Sequence, residues 1–257
     1  DMNRHMSDAY SPRLSNQGEF SHRYMIGLYE VLGRIFAPRP HILLESCSSG
    51  GNRFDLGMLC YSPQIWASDD TDPIERLDIQ GGLSYLYPQS TMGAHVSAAP
   101  HQQTLRDTPL STRFNVAAFG VLGYELELKY MTKAELKELR GQIAFYKAHR
   151  KTLQYGRFYR FDELRDNKLH WQVSSKNGKE HIVGHFQKLC TASEGYDMLS
   201  VHDLEPNARY HLVCKRQSLF IKRLGGLVRH VMPLELDPDG LVLRTANKLF
   251  TMPDGAE

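Results

Sequence analysis

The sequence predicts an α/β domain at residues 1–156, followed by an antiparallel β domain at residues 157–257. In the first part, short apolar runs alternate with segments of helical periodicity, which is typical of parallel strands joined by crossover helices. After residue 156 the sequence shows alternating segments separated by turn signals, and no long helical pattern remains. The second domain is therefore expected to be a β-sandwich.

The first elements are a helix and two strands. Residues 24–36 carry apolar side chains three and four positions apart, which predicts a helix with a buried stripe. Residues 41–47 form a short apolar run after a proline and predict a buried strand. Residues 64–68 predict a second strand.

The next helix is predicted over 71–79, and its first residues carry clear N-terminal capping signals. Asp72 is placed to cap its N-terminus, and Pro73 suits the first helical position. Glu75 follows Asp72 at the spacing of a capping box. The remaining elements of this domain are predicted in the order strand 92–98, helix 111–123, strand 124–128 and helix 131–156. Thr132 with Glu135 forms a second capping box.

The C-terminal part is predicted to contain hairpins. Asn177-Gly178 is a strong hairpin signal between the segments 168–175 and 179–189. The segments 208–215 and 241–250 also alternate, and the sequence DPDG at 237–240 predicts a turn.

Composition excludes several classes of partner. The net charge of +2 without a basic run does not favour nucleic acid, and no apolar stretch reaches the length of a membrane span. The four cysteines show no CxxC spacing, so we expect neither a metal nor a redox dithiol, and no cofactor. Free thiols indicate a reducing compartment, here the cytoplasm. Because the chain begins at Asp1 without methionine, we expect a fragment.

An acidic cluster is the strongest candidate for chemistry. Asp69 and Asp70 lie between a predicted strand end and a helix start, where α/β proteins place catalytic residues. Trp66, just upstream, is suited to stack on a sugar ring. The alternative interpretation is that the carboxylates only complement a helix N-terminus and that the indole packs in the core.

Other residues carry weaker signals. The small-residue loop 45–57 lacks the spacing of a phosphate-binding loop. Its Cys47 has no histidine nearby in the sequence, so a buried thiol is favoured over a nucleophile. His181 and His185 have a helical metal spacing but lie in a predicted strand, and we interpret them as core or surface residues. Asp1 alone indicates nothing firm.

Taken together, six segments resemble glycoside hydrolase family 36, the bacterial α-galactosidases. They occur in family order across the α/β part, and they are DMNR, QGEFSHRYMIGLYEVL, ESCSSGGNRFDLGMLCY, PQIWASDDTDPIERLDIQGG, YPQSTMGAHVSAAP and GYELEL. The later RFYRF and the β-rich tail resemble that family's C-terminal β domain. The resemblance implies the C-terminal half of a (β/α)8 TIM barrel, from about its fourth strand, followed by an incomplete antiparallel β-sandwich.

The resemblance also implies a function and its residues. It is a retaining hydrolysis of terminal α-D-galactosides such as melibiose and raffinose-type oligosaccharides. Asp1 matches the family's nucleophile and Asp69 its acid/base, and the matching substrate-binding residues are Asn3, Cys47, Ser49, Gly50 and Trp66. The lysine and tryptophan that precede the nucleophile in the family are absent from this chain.

Three alternatives stay open. Related proteins transfer galactose to an acceptor sugar, as raffinose synthases do, or act on N-acetylgalactosamine. The chain could also be an inactive fragment whose β domain is an interaction module. Among similar enzymes tetramers occur, so a homo-oligomer is a further expectation.

Overall fold

The computed structural model describes residues 8–48, 50, 53–161, 167–189, 197–199, 201–205, 207–213 and 250–252. The helices are α1 Phe20–Phe36, α2 Pro73–Leu83, α3 Leu110–Ala117 and α4 Lys133–Tyr155. The strands are β1 Glu45–Ser46, β2 Gln64–Trp66, β3 Met92–Ser97, β4 Val121–Glu125, β5 Arg157–Phe161, β6 Lys168–Ser174, β7 His181–Gln187, β8 Asp197–Leu199 and β9 Phe250–Met252. Up to α4, the predicted order of helices and strands is confirmed.

Strands β1 to β4 form a parallel sheet in the order β1-β2-β3-β4. Because successive side chains of a strand point to opposite faces, each strand contributes to two different environments. On β3, Ala94 and Val96 join the hydrophobic core with Phe114 of α3, which defines the helix-covered face. The neighbouring His95 therefore lies on the opposite face of the sheet.

Strands β5, β6 and β7 form an antiparallel sheet, and β8 pairs with β9. The predicted hairpin is confirmed, because β6 and β7 pair in register from Lys168 opposite Gln187 to Ser174 opposite His181. Gly178 in the connecting turn has a φ of 67°, a left-handed conformation that glycine adopts without a steric penalty.

One hydrophobic core extends across the parallel sheet and the β5–β7 sheet. Trp171 of β6 is 2% exposed, and its ring makes edge contacts with Phe119, Phe158 and Phe186 at centroid separations of 5.4, 5.8 and 5.1 Å. Phe119 belongs to the connection between α3 and β4, so these rings join the α/β part to the antiparallel sheet. Residues of α2, α3, α4, β3, β6 and β7 belong to the same buried cluster.

The predicted boundary between α3 and β4 is wrong by several residues. The helix ends at Ala117 and the strand begins at Val121. The backbone at Gly120 lies against β3, since a Cβ atom there would be 2.8 Å from the Cβ of Ala94. Leu122 and Tyr124 then pack on the core from a strand. Their apolar character suits the strand as well as the helix that the periodicity predicted.

Three further expectations require correction. The strand predicted at 41–47 is reduced to Glu45–Ser46, because a turn closes with the Ile42 amide donating to the Arg39 carbonyl. The apolar stripe of α1 is not buried, since no residue of this helix is fully covered. The segment 208–213 forms no strand. The turn predicted at 237–240 lies outside the described residues. In the described part of the chain, no helix has the length and apolar character to cross a membrane.

Candidate active site

The carboxyl ends of β1 and β2 bring the predicted site residues together. Ser46 pairs with Ile65 in the parallel register, so Cys47, one residue further, lies level with Trp66. The loop after Cys47 turns onto the neighbouring connection. Gly50 has a φ of 73°, and a Cβ atom there would lie 2.7 Å from the amide nitrogen of Asp69. Only glycine allows this approach, so the small-residue loop and the acidic cluster form one site.

Asp69 is exposed to solvent and held by a single side-chain hydrogen bond among the described residues. The indole Nε1 of Trp66 donates to its Oδ1 over 2.8 Å. Oδ1 is therefore occupied as an acceptor, whereas Oδ2 makes no hydrogen bond with the residues that the structure describes. A carboxyl group at the edge of a sheet, accessible and fixed in one orientation, is able to act as a general acid or base.

The Trp66 ring is oriented by the next strand. Trp66 pairs with Gly93, and a Cβ atom at Gly93 would lie 3.2 Å from the indole. The indole leans over this glycine toward His95, at a centroid separation of 4.4 Å. His95 on β3 is placed in the same way relative to β4. Its ring lies over Gly123, where a Cβ atom would be 2.4 Å away.

His95 and Glu125 are residues of this face that sequence reasoning missed. The Nδ1 of His95 lies 3.1 Å from Oε1 of Glu125, without the alignment of a hydrogen bond. The Oγ of Ser97 is buried and has no hydrogen-bond partner among the described residues. Polar atoms of this kind bind water or a ligand. The alternation of side chains along the strand sequence MGAHVS could have predicted this placement, because Ala94 and Val96 in the core put His95 and Ser97 on the opposite face.

Beneath the acidic cluster lies the buried guanidinium of Arg76, 2% exposed. Its Nε and one terminal nitrogen each donate over 2.6 Å, to the carbonyls of Asp70 and Ser68 respectively. The other terminal nitrogen donates over 3.1 Å to the carbonyl of Gly93 on β3. Burial lowers the pKa of Arg76 to about 10, and the charges of Asp70, Glu125 and Asp69 partly offset this effect. The side chain is therefore protonated at neutral pH.

Asp72 caps α2 as predicted. Its Oδ1 accepts from the amides of Ile74 and Glu75 at 2.8 and 3.4 Å, and Pro73 is the first helical residue. The predicted return bond from Glu75 is wrong, because its carboxylate accepts from Arg106 instead. The amide of Asp72 donates to Oδ1 of Asp70 at 3.0 Å. Asp70 and Asp72 are therefore structural acids, which separates them from the exposed Asp69. The second capping box, at the start of α4, is present in full.

The Asp72 carboxylate is fully buried and is shared with the loop after β3. It accepts from Thr104 Oγ1 and from the guanidinium of Arg106. Burial alone would raise the pKa of Asp72. The hydrogen bonds from Thr104, from the Ile74 amide and from Arg106 outweigh that effect and hold the pKa below its ordinary value of 3.8.

This network predicts a pH-dependent loss of stability. A carboxyl whose pKa is lower in the folded state stabilises the fold above the unfolded pKa, and this contribution disappears as the pH falls through the folded value. Asp72→Asn keeps a capping oxygen but removes the charge, so it should lower the unfolding free energy at pH 7 by about 2 kcal/mol. The difference from the unmodified chain should shrink below about pH 4. Urea unfolding across pH measures both.

The exposed Asp107, in the same loop, provides the control. Asp107→Asn should change the unfolding free energy little at any pH. An Asp72→Asn difference that stays constant from pH 7 to pH 3 would contradict the proposed charge effect.

Three predicted site residues, Asp1, Asn3 and Ser49, lie outside the described residues. Cys47 and Cys60 are free thiols, half-buried and exposed respectively. Within the described ranges, no group of three or more His, Cys, Asp or Glu side chains is placed to hold a metal ion. The absence of a cofactor stays a prediction.

Comparisons with known proteins found a family model, relatives and solved structures that match this chain. The melibiase family model matches residues 1–156. Alpha-galactosidase 1 of Pediococcus pentosaceus is 46% identical over 219 residues, which cover 84% of this chain and 30% of that protein. Alpha-galactosidase AgaA of Geobacillus stearothermophilus is 45% identical over 215 residues, covering 82% of this chain and 30% of AgaA. The chain thus spans less than a third of the length of these relatives.

Solved structures show the same relationship. The α-galactosidase of Lactobacillus brevis matches with a TM-score of 0.74 and 42% identity, covering 96% of this chain and 32% of that one. A variant of AgaA in complex with raffinose matches with a TM-score of 0.77 and 40% identity, covering 98% of this chain and 34% of that one. The shared architecture is an α/β fold with a parallel and an antiparallel sheet. The chain therefore belongs to the melibiase family, and the solved structures that resemble it include α-galactosidases of glycoside hydrolase family 36.

Proposed function

We propose that this chain supplies the nucleophile and the acid/base of an α-galactosidase active site, which hydrolyses terminal α-D-galactosides with retention of configuration. The observation that carries the proposal is the exposed Asp69 carboxyl at the carboxyl edge of a parallel sheet, held by the Trp66 indole at 2.8 Å. The indole face and the carboxyl together suit a sugar ring whose glycosidic oxygen must be protonated. The membership of the melibiase family supports the same reaction.

We also propose that the parallel strands belong to the C-terminal half of a (β/α)8 barrel. The strands are arranged in chain order, and α2 and α3 cover one face of the sheet. The opposite face carries Trp66, His95 and Glu125, which would line the interior of such a barrel at its catalytic end. The strands after residue 156 would then belong to an incomplete β-sandwich at 157–257.

The proposed mechanism is a double displacement. Ionised Asp1 attacks the anomeric carbon while Asp69 gives its proton to the leaving oxygen. Asp69 then removes a proton from water, and the hydroxide attacks the same carbon and releases galactose from Asp1. This route requires the two carboxyl groups to lie only about 5 Å apart. Cys47, Gly50 and Trp66 surround the sugar on the Asp69 side, and Asn3 and Ser49 complete the proposed contacts.

The substrate class follows from chemistry and from the relatives. AgaA variants have been solved in complex with raffinose and with stachyose, both of which are oligosaccharides. We propose α-galactoside oligosaccharides as substrates for this chain also. The free thiols of Cys47 and Cys60 support the cytoplasm as the place of action. A homo-oligomer stays a prediction.

Product analysis with raffinose tests the reaction class. We would use an AgaA hybrid, in which these 257 residues replace the matching segment of AgaA. Hydrolysis should release galactose and sucrose and yield no larger sugar at low substrate concentration. Larger oligosaccharides as the main product would favour the transfer reaction instead. A preference for α-N-acetylgalactosaminides would contradict the galactoside proposal.

A further inference from the structure

We infer that Arg76 is a positioning residue for Asp69, an inference that rests on the proposed role of Asp69 as acid/base. Arg76 does not contact Asp69 directly through a hydrogen bond. It lies in the first turns of α2, on the covered side of the site, and acts through the backbone and the indole that hold the carboxyl group.

The contacts of Arg76 enclose Asp69 along the chain. Its guanidinium binds the carbonyl of Ser68, one residue before Asp69, and its Nε binds the carbonyl of Asp70, one residue after. Both N–O distances are 2.6 Å. The peptide unit before Asp69 and the peptide unit after Asp70 are thereby fixed by one rigid, planar group, whose donors have a fixed mutual geometry.

The same guanidinium also fixes the partner of the carboxyl group. Its central carbon lies 4.8 Å from the centroid of the Trp66 ring, within the range of a cation–π interaction. Trp66 in turn donates to Oδ1 of Asp69. The bond to the Gly93 carbonyl anchors the whole arrangement to β3, which borders the strand of Trp66. Arg76 therefore sets both the backbone and the side-chain orientation of Asp69.

Electrostatics make this arrangement costly to alter. A buried cation needs compensating groups, and here three backbone carbonyls accept from it while Asp69, Asp70 and Glu125 act on it through space. A lysine at position 76 would keep the charge but could not reach three separated carbonyls with a planar fork. Arg76→Lys therefore loosens the geometry around Asp69 with the smallest change in charge.

Leaving-group dependence separates positioning of the acid from a general structural role. A substrate with a poor leaving group, such as melibiose, needs a proton from Asp69, whereas 2,4-dinitrophenyl α-D-galactoside does not. In the AgaA hybrid, Arg76→Lys should lower kcat/KM for melibiose about 100-fold, because a small misplacement of a catalytic group has effects of this size. The kcat/KM for the dinitrophenyl substrate should fall less than about 5-fold.

Arg113 is a matched control, since it is another arginine whose pKa burial lowers and which donates to a backbone carbonyl, that of Ser97. Arg113→Lys should lower both substrates' kcat/KM by similar factors. Equal losses on both substrates in Arg76→Lys, or the same selective loss in Arg113→Lys, would overturn the positioning role. Thermal melting of each variant identifies a loss that comes from unfolding. An unmodified hybrid without activity on either substrate would instead contradict the proposed function.

Discussion

In the AgaA hybrid, Asp69→Ala should lower kcat/KM for melibiose about 1,000-fold, because the leaving oxygen then has no proton donor. The dinitrophenyl galactoside should still form a galactosyl-enzyme, since its leaving group departs without a proton. Azide should then accelerate turnover by attacking this intermediate, and the product should be galactosyl azide of retained, α configuration. Kinetics with both substrates and the anomeric coupling constant of the azide provide the measurement.

Asp1→Ala supplies the complementary result. Without the nucleophile, azide must attack the substrate directly, so the galactosyl azide should have inverted, β configuration. Asp78→Ala, on the exposed surface of α2, is the control that should leave both substrates' kcat/KM close to the unmodified values. Turnover of melibiose at the unmodified rate by the Asp69 variant would contradict the assignment.

Trp171→Ala in the 257-residue chain should lower the unfolding free energy by about 4 kcal/mol, the cost of removing a fully buried tryptophan from a packed core. The ring contacts Phe119, Phe158 and Phe186, and it lies 3.6 Å from the position of a Cβ atom at Gly81 of α2. The cavity would therefore open between the β5–β7 sheet, α2 and the connection from α3 to β4. Urea unfolding, followed by circular dichroism, measures the change.

The shared core also predicts how the chain unfolds. The parallel sheet and the β5–β7 sheet should unfold together in one transition, and Trp171→Ala should shift that transition as a whole. Tyr130→Ala, at an aromatic residue that is 76% exposed, should have little effect. Two separate transitions, with only one of them shifted, would contradict a shared core. Limited proteolysis that leaves only residues 156–257 would support the interaction-module alternative.

Much of the local structure could be predicted because it depends on neighbouring residues. Asp72-Pro73 at the start of α2 and Thr132 with Glu135 at the start of α4 are helix signals of a few residues, and both helices begin there. The Asn177-Gly178 hairpin is similarly local. The boundary between α3 and β4 was not, because Gly120 is fixed by contact with β3, far away in the sequence.

The candidate site also contains residues that could be predicted from the sequence and a residue that could not. The association of Cys47, Trp66 and Asp69 was expected from the resemblance of the segments that contain them to one family. The role of Arg76 did not, because the letters IER indicate only a helical surface. Its burial depends on carbonyls of Ser68, Asp70 and Gly93, which the chain brings together only on folding.

Hydrolysis of p-nitrophenyl α-D-galactoside by this chain and, in parallel, by the AgaA hybrid tests the proposed function most directly. The chain contributes Asp1, Asp69 and the residues that support Asp69, while the hybrid adds the remainder of a barrel and the rest of the galactose site. We expect release of p-nitrophenol by the hybrid and none, or very little, by the chain alone. A folded hybrid that releases no p-nitrophenol would contradict the proposal that this chain supplies the catalytic carboxyl groups of an α-galactosidase.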